Sequence, residues 1–151
     1  MIELTPAVAA TLRAAAEVFV PGSDADETPG APDVAAELFI AHYLEFMLPG
    51  LAAGVPSLLD ETAGAMFDGR RFRALTLAER EAVLDTIAGH EVEQLRDIPT
   101  ALGILTVGAV YGEWTGQDAE GLLIRTPLGW QLARFDGPQR ARPRMMGDPE
   151  P

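Results

Sequence analysis

Cysteine and lysine are absent from the 151-residue chain, and serine occurs only at Ser23 and Ser57. The absence of cysteine excludes disulfides, thiolate-bound metals, iron–sulfur clusters and covalently attached c-type haem. All 11 basic residues are arginines, and 23 acidic residues give a formal net charge of −12. A phosphate backbone would be repelled by this charge, so we expect no nucleic-acid partner.

The sequence also lacks the common motifs of catalysis and cofactor binding. No two glycines are separated by a single residue, which excludes the G-x-G-x-x-G turn of dinucleotide sites. Gly103 and Gly108 have the outer spacing of a phosphate-binding loop, but Ala109 stands where that loop needs lysine. Neither serine lies in G-x-S-x-G, and neither His42 nor His90 belongs to an H-E-x-x-H zinc motif. We therefore expect no catalytic residue, cofactor or metal in this chain.

Two weak site candidates remain. His42 precedes Glu45 by about one helical turn, where a carboxylate could orient an imidazole for acid–base chemistry. A polar strip on a buried helix explains the same pair more simply. Asp24, Asp26 and Glu27 could attract calcium, but their loop lacks the further oxygen ligands and central glycine of an EF-hand, so a solvated acidic loop is favoured.

Composition and periodicity predict one all-α globular domain. Hydrophobic residues make up 48% of the chain and charged residues 23%, which is too apolar for a disordered protein. Apolar residues recur at helical spacing in several segments bounded by caps, prolines and glycines. We expect a compact bundle of about five helices, beginning at Thr5-Pro6 and continuing over residues 31–48, 56–67, 76–89 and 99–111. The helix of residues 76–89 opens with a Thr76–Glu79 capping box.

An irregular C-terminal segment and an extended tail are expected after this bundle. Gly108, Gly112 and Gly116 indicate where the last long helix ends. Beyond it we expect at most short strands, near Leu122 or Trp130. We place the domain at residues 1–138 and a tail, flexible or ordered by a partner, at residues 139–151.

The second predicted helix is the principal candidate for a partner interface. From Leu38 onward it is apolar in nearly every direction, and such a helix must be buried all round. The charged side at Asp33 and Glu37 continues into Ile40 and Leu44. We therefore expect Val34, Leu38 and Phe39 to face the core, and the predicted interface consists of Ile40, Leu44, Met47, Trp130, Arg140, Arg142 and Arg144. The arginines at positions 70, 71 and 73 are expected to be solvated or to face a partner.

No segment is expected to span a membrane or to direct export. The longest uncharged run, residues 98–112, is shorter than the roughly 20 residues of a membrane helix. Residues 1–6 lack the positive and apolar regions of a secretory signal. We expect a cytoplasmic location for the sequence as it stands; a periplasmic location would require a leader or export together with a partner.

Several segments resemble one family. Residues 18–21 (VFVP), residues 26–31 (DETPGA) and the apolar helix up to Leu44 are similar to the opening of the gluconate 2-dehydrogenase subunit 3 family. Residues 72–81 resemble the start of its mid-chain helix, and residues 129–138 resemble its closing segment. The chain departs from the family in two respects, because it lacks a twin-arginine export signal and the aromatic, glycine-rich stretch common near residues 111–128.

The resemblance implies a non-catalytic small subunit. Its partner would be a large FAD-dependent oxidoreductase of the glucose–methanol–choline type, which oxidises a sugar, a sugar acid or a related alcohol, and electrons could pass on to a haem subunit. In such complexes the small subunit supports folding or export of the catalytic one. Two alternatives stay open from the residues alone: a generic helical protein-interaction module, and a free-standing helical enzyme that uses His42 and Glu45.

Overall fold

The computed structural model describes residues 4–25, 27–118 and 120–135. These residues contain isolated β-bridges at Ser23–Thr28 and Gln117–Leu123 but no strand, so the predicted all-α class is confirmed. The α-helices are α1 (Pro6–Phe19), α2 (Ala36–Met47), α3 (Leu51–Met66), α4 (Leu77–Ala88), α5 (Glu93–Arg96), α6 (Ile98–Tyr111) and α7 (Leu128–Leu132). Short 3-10 helices occupy Ala31–Val34, Phe72–Ala74 and Glu113–Gly116. Five α-helices have at least 12 residues, as expected.

α1 packs against each of the four other long helices. Its start agrees with the sequence prediction: Thr5 is the N-cap, its hydroxyl oxygen accepts from the Val8 N–H at 3.3 Å, and Pro6 occupies the first helical position. The helix contacts α2, α3, α4 and α6. Because its inner side is rich in alanine, with Ala15 and Ala16 almost fully buried, neighbouring helices can approach it closely.

The beginning of α2 differs from the prediction of one helix over residues 31–48. A 3-10 turn over Ala31–Val34 ends at Ala35, whose φ of +52° lies in the left-handed region, and α2 starts only at Ala36. The Asp33 carboxylate accepts from the Gly30 N–H at 2.7 Å and holds this tight turn. Since Ala31 and Ala36 are fully buried on either side, packing offsets the cost of the left-handed residue.

The third helix also begins earlier than predicted. It was expected over residues 56–67 because proline favours the first helical turn, but α3 starts at Leu51 and contains Pro56 in its interior. Buried residues Ala52, Val55 and Leu59 have the i, i+3, i+7 spacing of one helix face that continues across the proline. This continuous buried face explains why the helix tolerates one missing backbone hydrogen bond.

The core lies between α1, α2, α3, α4 and α6. Its largest fully buried side chains include Phe72, Leu12, Ile40, Leu44, Leu59, Ile87 and Leu102. α4 carries the predicted capping box, in which the Thr76 hydroxyl and the Glu79 carboxylate each accept from the other residue's backbone N–H. Of its large apolar residues, Val83, Leu84 and Ile87 are buried, whereas Leu77 is exposed.

The last long helix, α6, ends at Gly112, as the glycine spacing predicted. The single-turn helix α5 precedes α6. The segment that follows is irregular, as expected, but Trp130 lies in the short helix α7 and not in a strand. The predicted tail at 139–151 and its boundary lie outside the described residues.

Within the described part of the chain, no single helix has the length and apolarity needed to cross a bilayer. The helices α2 and α3 reach this length and apolarity only when taken together, and the chain bends by 112° between them.

Candidate partner interface

The outer side of α2 presents large apolar side chains at the surface. Phe46 is 80% exposed and Met47 is 54% exposed, and Leu48, at the corner between α2 and α3, is 58% exposed. Leu38 and Tyr43, nearer the start of the helix, are also exposed. Single exposed apolar residues are ordinary on protein surfaces, but several together mark a surface that a second protein would cover.

The predicted partition of α2 is wrong in its central residues. Ile40 and Leu44, expected in the partner interface, are 0% and 2% exposed and belong to the core. Leu38, expected to face the core, is 40% exposed. Leu44 and Ile40 share a helix face with Glu37, so the side chain of Glu37 explains the reversal.

Glu37 is buried rather than solvated because α1 supplies a cation for it. Both Nε and a terminal nitrogen of Arg13 donate to Glu37 Oε1, at 3.2 Å and 2.7 Å. With its charge compensated, the carboxylate can lie between α1 and α2, and the stripe of Glu37, Ile40 and Leu44 turns inward. The opposite side of the helix, with Leu38 and Phe46, is consequently the one left uncovered. Met47 continues the stripe of Ile40 and Leu44, but it is exposed because it lies at the end of the helix.

The other predicted interface residues have different outcomes. Met47 is exposed, in agreement with its predicted position. Trp130 is half-buried and packs edge-on against Phe135, with 5.2 Å between the ring centroids. Arg140, Arg142 and Arg144 lie outside the described residues, so their place in an interface stays a prediction.

A second exposed apolar stripe lies on α6 and was not predicted. Ile104, Val107 and Tyr111 are 67%, 49% and 42% exposed, and their spacing of three and four residues places them on one face. The 14 residues of α6 include no charged side chain. This absence of charge is visible in the sequence, where residues 98–112 form the longest uncharged run.

α2 and α6 are neighbours, and aromatic rings fill the space beside their contact. The Phe39 ring lies beside Gly108, where an added Cβ would be 3.6 Å from a ring carbon, an ordinary van der Waals distance. The centroid of the Phe39 ring lies 4.5 Å from that of Tyr43. It lies 5.5 Å from the ring centroid of Trp114, a residue that follows α6. The aromatic side of α2 therefore packs directly on α6.

Beside this aromatic group lies an open cleft of about 930 Å³ between the first half of α2 and residues 113–125. Phe39, Tyr43 and Trp114 form its apolar wall. Four carboxylate residues, Asp33, Glu113, Asp118 and Glu120, and one cationic residue, Arg125, also line it.

The His42–Glu45 pair is not arranged for acid–base chemistry. Both carboxylate oxygens of Glu45 accept from the Gly50 N–H at 3.0 Å, which fixes the corner between α2 and α3. His42 is exposed, and its ring lies edge-on to Tyr43 at 5.5 Å between centroids. The carboxylate that was to orient the imidazole therefore has a structural contact instead.

The remaining titratable residues do not assemble into a metal site. In the ranges 4–25, 27–118 and 120–135, no three histidine, aspartate or glutamate side chains come together in a suitable group. His90 is exposed, and its Nδ1 accepts from the Val92 N–H at 3.0 Å. Asp26 of the predicted acidic loop lies outside the described residues.

The arginines that follow α3 contact acidic residues of the same chain. Arg71 pairs with Asp60 at 3.2 Å, and Arg70 pairs with Glu79. The backbone N–H of Thr76, donating to Glu79 at 2.8 Å, and then the Arg70 guanidinium hold the pKa of the Glu79 carboxyl below its ordinary value of 4.5. These charges stabilise the start of α4.

Comparison with known proteins gives one match. A family model described as gluconate 2-dehydrogenase subunit 3 matches residues 6–137. No curated protein and no solved structure shows significant similarity to the chain. The match covers α1 to α7, the aromatic cleft and both exposed apolar stripes. Because it includes most of the sequence, the chain belongs to the gluconate 2-dehydrogenase subunit 3 family.

Proposed function

We propose that the chain is a non-catalytic small subunit that binds and stabilises a large FAD-dependent oxidoreductase of the glucose–methanol–choline type. The substrate class of that partner would be a sugar, a sugar acid or a related alcohol. FAD would be bound by the large subunit, and a haem subunit is a further candidate partner for electron transfer. Membership of the family supports the assembly, and the observation that carries the proposal is the exposed apolar surface of α2 and α6.

The physical argument rests on what this surface gains when it is covered. Burial of apolar area contributes about 25 cal/mol per Å², so residues such as Phe46 and Ile104 favour association with a complementary apolar surface. Only part of that free energy appears as affinity, since association also costs rotational and side-chain freedom. Binding between folded partners then stabilises both by mass action, which is the accessory role proposed here.

The polar residues support a binding role more than a catalytic one. The chain has no glycine-rich phosphate turn and no nucleophile motif, and Glu45 contacts the Gly50 N–H instead of His42. A generic interaction module would use the same apolar surface. Family membership favours a dehydrogenase subunit over this alternative.

Co-expression tests the proposal directly. The small chain, the large flavoprotein and the pair would be produced separately and compared by flavin absorbance and dye-linked alcohol oxidation. We expect no flavin and no activity for the small chain, and a higher soluble, flavin-loaded yield for the pair. A flavin-containing, active small chain would contradict the non-catalytic assignment, and an unchanged yield of active large subunit would contradict the stabilising role.

Two variants locate the docking surface. Ile104→Asp combined with Val107→Asp places charges in the stripe on α6 and should abolish co-purification of the pair. Thr86→Asp is the control, because Thr86 is also β-branched and exposed but lies on the charged outer side of α4. Helical circular dichroism of each isolated variant should equal that of the wild type. Equal losses of co-purification in both variants would show that α6 is not the docking surface.

A further inference from the structure

The cleft between α2 and residues 113–125 differs in chemistry from the apolar stripes. Aromatic side chains form one wall, and acidic residues also line the cleft. Tyr43 and Glu113 are exposed, and Trp114 is half-buried, so all three are accessible to a ligand. A docking site of this kind selects its occupant by charge as well as by shape.

The carboxylates of the cleft outnumber its cations. Within the described residues, Asp33, Glu113 and Glu120 form no ion pair. Asp118 is engaged within its own loop, since its Oδ1 accepts from the Glu120 and Leu122 N–H groups. The one cationic side chain, Arg125, donates from Nε to the Thr115 carbonyl oxygen at 2.6 Å and leaves most of the acidic residues uncompensated.

We infer that this cleft binds an extended, arginine-bearing peptide segment of a partner chain. A guanidinium is complementary to both kinds of side chain in the cleft, because it stacks on aromatic rings and donates paired hydrogen bonds to carboxylates. Anionic ligands would be repelled by the acidic residues and by the net charge of −12. The inference rests on the proposed function only in one respect, the identity of the chain that supplies the peptide.

The size of the cleft fits a peptide better than a small metabolite site. Its 930 Å³ is at the upper end of the range for small-molecule pockets, but it is open along one side and lined by exposed residues. An extended segment can lie along such a cleft, with one arginine against Tyr43 and Trp114 and another near Glu113 and Glu120. The chain's own residues 139–151, which contain three arginines, are the competing occupant that the test must distinguish.

The experiment is a binding titration on the full chain without any large subunit. The probe is a fluorescein-labelled nonapeptide in which three arginines alternate with alanine and proline, followed by fluorescence anisotropy. The same peptide with glutamine at the three positions is the peptide control. We expect saturable binding of the arginine peptide that weakens with salt, and no binding of the glutamine peptide. Equal binding of the two peptides, or none of either, would overturn the inference.

Matched variants separate the cleft from the general acidity of the protein. Glu113→Gln with Glu120→Gln should weaken binding by about three- to tenfold, the effect of two exposed charge contacts. Glu61→Gln with Glu81→Gln makes the same change in net charge at exposed positions on α3 and α4, and should leave the affinity within about twofold, since distant exposed charges are screened. Equal weakening by the two pairs would mean that only net charge matters, which contradicts a built site.

Two further variants test the aromatic wall and the competing occupant. Tyr43→Ala removes an exposed ring and should weaken binding by about threefold, as expected for loss of a cation–π contact. Replacing Arg140, Arg142 and Arg144 together by alanine should leave the affinity unchanged. A gain of tenfold or more in that variant would assign the cleft to the chain's own tail and overturn the partner assignment. Because the titration contains no large subunit, a negative result would contradict peptide binding in the cleft without contradicting the proposed function, which the co-expression experiment tests.

Discussion

The helices α4 and α6 pack against each other in the core but turn chemically different outer sides to the surface. α4 exposes Glu81, Asp85 and Thr86, whereas α6 exposes Ile104 and Val107 and has no charged residue along its length. The charged residues at the start of α4 also have partners within the chain. Arg80 donates to Glu17 on α1 at 2.6 Å and to the Arg73 carbonyl at 3.1 Å.

This difference shows how a small helical protein separates stability from assembly. The outer side of α4 is stable in contact with water, because its charged side chains are solvated or paired. The outer side of α6 contributes little to the fold and gains free energy only when another protein covers it. Changes to the partnered residues at the start of α4 should therefore alter folding, and exposed changes on α6 should alter assembly.

The largest effect is expected inside α2, where both kinds of surface share one helix. Leu44→Asp buries an unpaired charge and should lower the free energy of unfolding by at least about 3 kcal/mol, a large part of the stability of a domain this size. Met47→Asp, one turn further along at the exposed end of α2, should change it by less than about 1 kcal/mol. Urea unfolding followed by circular dichroism measures both. If Leu44→Asp folds normally and loses only assembly, then Leu44 belongs to the interface and the inward orientation of this stripe is wrong.

The second effect tests the links between α4 and its neighbours. Arg80→Met removes a largely buried cation that holds Glu17 and the Arg73 carbonyl, and should cost about 1–3 kcal/mol. Arg73→Met is the matched control, since this exposed arginine has no ion pair among the described residues, and a change within about 0.5 kcal/mol is expected. Thermal unfolding of the two variants distinguishes a specific link from a general effect of charge. Equal losses would show that the Arg80 contacts contribute nothing.

A smaller loss is expected at the first turn of α4. Thr76→Ala removes the hydroxyl that accepts from the Glu79 N–H and should destabilise the chain by about 1 kcal/mol. Thr86→Ala, inside the same helix, should have little effect or be slightly stabilising, because alanine has the higher helix propensity. Chemical denaturation of both variants measures the contrast. Similar values for the two positions would show that the capping box is not stabilising.

The pH dependence of Glu79 is expected to be weaker still. Its pKa is lowered in the folded chain by the Thr76 N–H and then by Arg70, so its contribution is present at neutral pH and is lost as the pH falls below 4.5 through the folded pKa. Glu79→Gln should therefore have a lower Tm than the wild type at pH 7, and the difference should close at acidic pH. A difference that stays constant down to pH 3 would contradict this origin.

The smallest effect on stability is expected on α6. Ile104→Gln with Val107→Gln replaces exposed apolar groups on a helix where glutamine is at least as favourable, so the free energy of unfolding should stay within about 0.5 kcal/mol. The same double variant should lose affinity for the large subunit. Destabilisation of more than 2 kcal/mol would place these residues in the fold and remove the contrast with α4.

Several features of the fold follow from local sequence. The start of α1 at Thr5 and Pro6, the capping box of Thr76 and the end of α6 at Gly112 each depend on residues within one turn, so they could be predicted without tertiary information. The apolar spacing predicted about five long helices for the same reason. Family membership was also predictable, because it depends on short segments of sequence.

Other features depended on how the helices pack and turn relative to one another. α3 continues through Pro56 because buried residues on both sides hold it in the core, which outweighs the local preference of proline for a helix start. Glu45 binds the backbone at Gly50 rather than His42, and this contact exists only because α2 and α3 turn sharply at the corner. The spacing of residues within one helix could predict neither the continuation of α3 through Pro56 nor the contact of Glu45 with Gly50.

The sequence by itself determined the composition of the surface: an acidic chain without cysteine or lysine, one uncharged helix and one helix apolar on nearly every side. Only the tertiary structure decided which side of that last helix is buried. When nearly every face of a helix is apolar, the spacing of apolar residues cannot indicate which face is buried. The orientation of α2 depended instead on Arg13, which lies 24 residues before Glu37 in the sequence and supplies the charge that allows Glu37 to be buried. Ile40 and Leu44 share the face of Glu37 and are buried with it.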